Sequence, residues 1–107
     1  MNTLTDFIFF DETSTETMSN PMINVNRGEE LVLSVTGTGI DIVMYGVADV
    51  EADEKFPMTC LNKGNYDMVE EITEAGIYMI AADGINRFYC ENKGVAGNVK
   101  VYGKLMA

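Results

Sequence analysis

The closing stretch of the chain, residues 97–105, alternates between apolar and polar side chains. Val99 and Val101 fall on one side of an extended backbone, and the lysines between and after them fall on the other. Successive side chains of a strand point to opposite faces, so this pattern predicts a strand with one buried and one solvent-facing side. Residues 73–82 and 87–91 have the same character, and Gly and Asn separate the three runs. The end of the chain therefore predicts antiparallel β-structure.

Further strands are expected upstream, at intervals of about 8–12 residues. Residues 30–36 predict a strand with inward leucines at 31 and 33, and residues 40–47 are apolar on both sides, as in a well-covered strand with a bulge at Gly46. Pro57 predicts an edge position for residues 55–61. Residues 66–72 fit a strand or a helical turn.

Asp83-Gly84 is a hairpin signal. Together these patterns predict an all-β antiparallel β-sandwich of seven to eight strands, of the jelly-roll or Ig-like kind. At 107 residues the chain has room for one such domain.

The first twenty residues differ in composition from the rest. An apolar segment that includes Phe7, Ile8, Phe9 and Phe10 precedes a polar stretch rich in Ser and Thr, and Pro21 follows. One interpretation is an N-terminal extended arm and linker over residues 1–20, ahead of a sandwich domain over residues 21–107. Its apolar residues would then bind a partner, and Met18 and Met22 would join that contact. The alternative is an ordinary first strand.

The charge of the chain limits the classes of partner that it could bind. The formal charge is −10, and the seven basic residues are scattered, which argues against nucleic acid and anionic membranes as partners.

Cys60 and Cys90 lie in apolar runs and are expected as reduced core thiols; a disulfide is the alternative. The apolar segment at residues 7–10 lacks the features of a signal peptide.

Enzymatic chemistry finds little support in the sequence. The chain has no His, which removes the commonest general base, and its cysteines lack the spacing of a zinc site. The acidic residues of segment 49–54 could bind calcium, but they lack the EF-hand pattern, and a solvated loop explains them as well. We expect a non-enzymatic protein with no metal site and no cofactor.

Aromatic side chains suggest a second kind of function. Tyr102 falls on the same face of the last predicted strand as Lys100 and Lys104, where it could form a surface aromatic patch. Such a patch could serve a carbohydrate-binding or host-attachment module. Ordinary cross-strand packing of tyrosine is the alternative.

The closing pattern, from Ala75-Gly-Ile-Tyr78 through Gly97-Asn-Val-Lys-Val-Tyr-Gly-Lys-Leu105, resembles the end of small β-sandwich virion proteins of tailed bacteriophages. The resemblance covers residues 73–105. It implies a structural component of a virion: a head decoration (auxiliary capsid) protein, a head fibre or a tail subunit. It also implies a homo-oligomer whose partners are the major capsid protein or neighbouring copies, made in the host cytoplasm and carried in the virion.

Overall fold

A computed structural model describes residues 3–24, 27–48, 51 and 54–107. It shows ten β-strands in two antiparallel sheets, which confirms the predicted all-β sandwich and adds short strands to the expected number. The strands are β1 (Thr3–Phe10), β2 (Met22–Ile23), β3 (Glu30–Gly37), β4 (Ile42–Val47), β5 (Phe56–Met58), β6 (Cys60–Asn62), β7 (Met68–Val69), β8 (Gly76–Ala81), β9 (Arg87–Asn92) and β10 (Val99–Met106). The described residues contain no α-helix, so residues 66–72 are not helical.

The chain crosses between the two sheets several times, and of the strands described only β4–β5 and β6–β7–β8 are consecutive strands of the same sheet. One sheet has six strands in the order β1-β10-β3-β8-β6-β7, and the other has four in the order β2-β9-β4-β5. The core between them contains the inward residues of β3 and β10, and Leu31, Leu33, Val101 and Leu105 are all 0% exposed. The alternation predicted for both strands is therefore confirmed.

Strand β10 lies inside the six-stranded sheet. It pairs with β1 on one side and with β3, in unbroken register over eight residue pairs, on the other. Because each central strand exchanges backbone hydrogen bonds with two neighbours, the lysines of β10 do not guard an exposed sheet edge.

The N-terminal segment belongs to the sandwich, which corrects the expectation of a separate arm over residues 1–20. Strand β1 pairs antiparallel with β10, and Phe9 and Phe10 are 5% and 2% exposed. A register shift between Ile8 and Phe10 allows the two consecutive phenylalanines to be buried together. The apolar segment folds onto its own chain because the core has room for these rings.

The polar stretch after β1 crosses from one sheet to the other. Asp11 opens the crossing with a turn, in which Thr13 N donates to Asp11 Oδ1 at 2.8 Å. Residues 17–19 then run beside β9, where Ser19 N donates to the carbonyl oxygen of Cys90 at 2.8 Å and Asn92 N donates to that of Thr17 at 2.7 Å. Backbone pairing therefore anchors the end of the predicted linker.

Three local predictions are also corrected. Residues 55–61 form two strands, and the chain changes sheet between Met58 and Cys60, although Pro57 does lie on an edge strand, β5. Gly46 pairs regularly with both neighbouring strands and forms no bulge. Asp83-Gly84 makes a turn, but β8 and β9 lie in different sheets, so it is not a hairpin.

Candidate interaction surface

The outer face of the six-stranded sheet carries an apolar row across its four longest strands. Going across the sheet in register, Ile8 of β1 lies opposite Tyr102 of β10, which lies opposite Ser34 of β3 and then Ile77 of β8. Ile8 is 57% exposed, Ile77 45% and Tyr102 41%. Three large side chains in a row of four are thus open to solvent.

A second row runs parallel to the first, two residues further along the strands. In register order it contains Asp6, Lys104, Val32, Met79, Leu61 and Met68. The row begins with an acid and a base and then continues as four apolar side chains. We call the apolar members of the two rows the apolar face: Ile8, Tyr102, Ile77, Val32, Met79, Leu61 and Met68.

A shallow groove of about 800 Å³ lies within this face. Ile8, Val32, Ile77 and Tyr102 supply much of its apolar lining, and Ser34 is among its polar members. The groove forms because Ser34 is a small residue between the larger Tyr102 and Ile77. A concave apolar surface of this kind is typical of a contact site.

Charged side chains stand at one end of the apolar face. Asp6 and Lys104 are cross-strand neighbours, and opposite charges in such a position stabilise the pairing of the two strands. Lys100 extends the charged border, and its Nζ lies 3.6 Å from Glu12 Oε2. Tyr102, Lys100 and Lys104 do share one face, as the alternation predicted.

The outer face of the four-stranded sheet has a different character. Tyr45 Oη donates to Glu91 Oε1 at 2.9 Å, and this hydrogen bond raises the pKa of Tyr45. Arg87 Nε donates to Tyr89 Oη at 3.3 Å, and Lys55 Nζ lies 4.5 Å from the centre of the Tyr89 ring. Here aromatic and charged groups find partners within the chain, in contrast to the apolar face.

The residues predicted to bind a partner differ in exposure, and most of them are buried or half-buried in their own chain. Phe9, Phe10 and Met22 are buried in the core of their own chain, and Phe7 packs its ring edge-on against Phe9 at 4.9 Å between centroids. Met18 is half-buried beside β9. Ile8 therefore is the strongly exposed member of that set.

Sequence reasoning missed most of the apolar face. Val32, Ile77 and Met79 occupy outward positions in strands that are also apolar inward, and Leu61 and Met68 lie in strands too short to show a period. The sequence did offer one signal. Residues 77–80 are apolar on both sides of the strand, and this pattern predicts a strand that is covered on both faces of the sheet. The register needed to join these residues across strands is not contained in any one strand.

Both cysteines are buried free thiols. Cys60 lies in the six-stranded sheet and Cys90 in the four-stranded sheet, and both contribute to the core between them. Burial raises the pKa of the Cys60 thiol to about 12, and it raises the pKa of Cys90 as well. A protonated, buried thiol is a poor nucleophile, so these residues act in packing.

The predicted calcium loop falls mostly outside the described residues, since 49, 50, 52 and 53 are among those left out. Over the ranges that the structure describes, no cluster of three or more His, Cys, Asp or Glu residues could hold a metal ion. Within those same ranges, no helix has the length and hydropathy required to cross a bilayer.

Comparison with known proteins extends the fold description. The chain is similar to the crystal structure of the SPBc2 prophage-derived protein YomS, with a TM-score of 0.82, 23% sequence identity and coverage of 96% of this chain and 92% of that one. No family model matches the sequence, and the search of curated proteins found no match. The similarity in structure shows that both chains share one sandwich fold over almost their whole length.

Proposed function

We propose that this chain is a non-enzymatic structural component of a bacteriophage virion. The observation that carries the proposal is the fold shared with a prophage-derived protein over 96% of this chain and 92% of that one. The matched region covers nearly the whole of both chains, so the similarity involves the whole domain and not only a common substructure. It agrees with the resemblance of residues 73–105 to small virion proteins.

Within the virion, we propose a capsid decoration or auxiliary role, in which the domain binds the assembled shell and neighbouring subunits. The net charge of −10 suits a position outside the shell and away from the packaged genome. The apolar face, with its groove and charged border, supplies a surface for protein contact. Neither feature requires a cofactor.

Quantitative mass spectrometry of purified particles tests the proposal. Particles of the phage that encodes this chain would be separated from the lysate and then split into head and tail fractions. A structural role predicts a fixed ratio of this chain to the major capsid protein, and decoration predicts that the chain follows the heads. A chain that is abundant in the lysate but absent from the particles would overturn the virion role. Recovery in the tail fraction alone would overturn decoration and retain the virion role.

Carbohydrate binding is the competing function. Tyr102 is 41% exposed and lines the groove, with Ile8 and Ser34 as its cross-strand neighbours and Ile77 one strand further. Sugars are recognised by stacking together with several hydrogen bonds. A glycan array that compares the wild type with Tyr102→Ala tests this alternative, and binding lost in the variant would favour it.

A further inference from the structure

We infer that the apolar face of the six-stranded sheet binds the same face of a second copy of this chain. The inference concerns the surface and its occupant, and it does not depend on the proposed virion role. The two outer faces differ in how they cover their apolar residues. The four-stranded sheet pairs its tyrosines with charged groups, and its exposed apolar residues, Ile23 and Phe56, lie on its two edge strands. The six-stranded sheet instead leaves Ile8, Ile77 and Met68 45–60% exposed on one face.

The side of the molecule that carries the apolar face is large enough for a stable dimer. The sheet has six strands at a spacing of about 4.8 Å, so the two rows extend over roughly 24 Å from β1 to β7. The two longest dimensions of the molecule, 33 and 30 Å, bound one side of the whole domain at about 1,000 Å². A standard interface buries about 800 Å² on each partner. A contact of that size would therefore contain the apolar face at its centre and most of the residues around it.

The composition of the face matches an interface centre with a polar border. Tyrosine and methionine are enriched at such centres, and the apolar face contains Tyr102, Met79 and Met68. The charged residues Asp6 and Lys104 occupy one end of the second row and line the groove at that end, as a cross-strand pair of opposite charge. Tyr102 lines the groove, as expected of a residue that dominates binding.

The distribution of charge favours contact between two copies through the apolar face over contact through other surfaces. Two chains of charge −10 repel each other across most orientations. The outward positions of β1, β3 and β10 carry two acids, Asp6 and Glu30, and two bases, Lys100 and Lys104, so their charges balance. With Glu12, which lies beside Lys100, the local charge is close to −1, far below that of the whole chain. Repulsion between two copies is therefore weakest when they meet through this face about a two-fold axis.

Contact through β1, the longest of the four edge strands, is another way to join two copies. Two register shifts interrupt β1, and a charged residue, Asp6, occupies its middle. Both features are devices by which proteins discourage edge-to-edge pairing. The geometry thus favours the face over the edge.

Sedimentation equilibrium with a matched pair of variants tests the inference. Ile8 is 57% exposed on the apolar face, and Ile23 is 52% exposed on β2 of the other sheet, so Ile8→Lys and Ile23→Lys make the same chemical change at similar exposure. We expect the wild type and Ile23→Lys to dimerise alike, and Ile8→Lys to raise the dissociation constant by roughly 100-fold or more, since a two-fold contact contains the substitution twice.

Ile77→Lys, on β8, provides a second substitution in the same face and is expected to weaken the dimer similarly. Circular dichroism and thermal melting would establish that the variants fold. Added salt should strengthen the wild-type dimer, because it screens repulsion between two acidic chains that meet through an apolar surface. A wild type that stays monomeric at all concentrations would overturn the inference, and so would a dimer that Ile23→Lys disrupts and Ile8→Lys does not. A dimer that weakens as salt rises would contradict the apolar contact.

Discussion

Gly103 shows how one small residue shapes the core of this sandwich. It lies in β10 opposite Phe7, with its missing side chain directed toward the ring of Phe9. A Cβ atom at this position would lie 2.8 Å from Phe9 Cε2 and 3.3 Å from Leu31 Cδ1. Since Phe9 is buried, the ring has little freedom to move away. The aromatic β1 can therefore cover the core because its neighbour is glycine at this point.

Replacing Gly103 by alanine should destabilise the protein by about 1–2 kcal/mol through overpacking. Gly76→Ala is the matched control in the same sheet, where the nearest atom to a new Cβ is Tyr78 Cε2 at 3.6 Å, an ordinary contact. That control should leave stability unchanged or raise it by less than about 1 kcal/mol. Urea unfolding at one protein concentration measures both. Equal effects of the two substitutions would contradict the close packing described for Phe9.

The buried cysteines make a prediction about reactivity. The raised pKa and the burial of Cys60 and Cys90 should prevent modification by a disulfide reagent at about pH 8 in the native protein. After unfolding in guanidinium chloride, both thiols should react. Rapid modification of either thiol in the native state would show that it is not part of the core.

The Cys60 thiol also makes stability dependent on pH. Its pKa is raised from 9.0 to about 12 on folding, so its contribution is fully present below pH 9 and is lost as the pH rises toward 12. The free energy of unfolding should fall over this range by up to about 1.4 kcal/mol per pH unit for this group. The slope should be smaller in Cys60→Ala, whatever the stability of that variant at neutral pH. An unchanged slope would contradict the assignment.

At the scale of elements, strand β1 is the clearest case of information that the sequence did not provide. Its composition indicated an apolar segment, but whether that segment covers its own core or a partner depends on the space beside β10 and on Gly103. Similarly, Asp83-Gly84 predicted a turn correctly, and the sheet that each flanking strand joins was not encoded in the turn. Strands β3 and β10 were predictable because each has one face in the core and a strict two-residue period.

Neighbouring residues of β1 should respond very differently to truncation. Phe10→Ala should destabilise the protein by about 3–5 kcal/mol, because it removes a buried ring and leaves a cavity. Ile8→Ala, on the exposed side of the same strand, should change the stability of the monomer by less than about 0.5 kcal/mol. Chemical denaturation at low protein concentration measures both effects. If Phe10→Ala were as mild as Ile8→Ala, β1 would not belong to this core.

At the scale of the whole molecule, the chain is an acidic sandwich. Its six-stranded sheet has an apolar outer face, and its four-stranded sheet has a mainly polar one with Ile23 exposed on an edge strand. Composition predicted the charge, and alternation in β10 placed Tyr102, Lys100 and Lys104 together. The apolar face as a unit could not be predicted, because it joins Ile8 to Ile77 across strands that are distant in sequence. Such a surface exists only once register and sheet order are fixed.

Small-angle X-ray scattering measures most directly how two copies are arranged. The Cα radius of gyration of one chain is 12.7 Å. Face-to-face stacking of two sandwiches, with sheets about 10 Å apart, separates their centres by about 20 Å and gives a dimer value of about 16 Å. Edge-to-edge pairing through β1 would separate the centres by about 30 Å and give about 20 Å. We predict a value near 16 Å at concentrations where sedimentation shows a dimer. A value that stays near 13 Å at every concentration, or one near 20 Å, would contradict the contact through the apolar face.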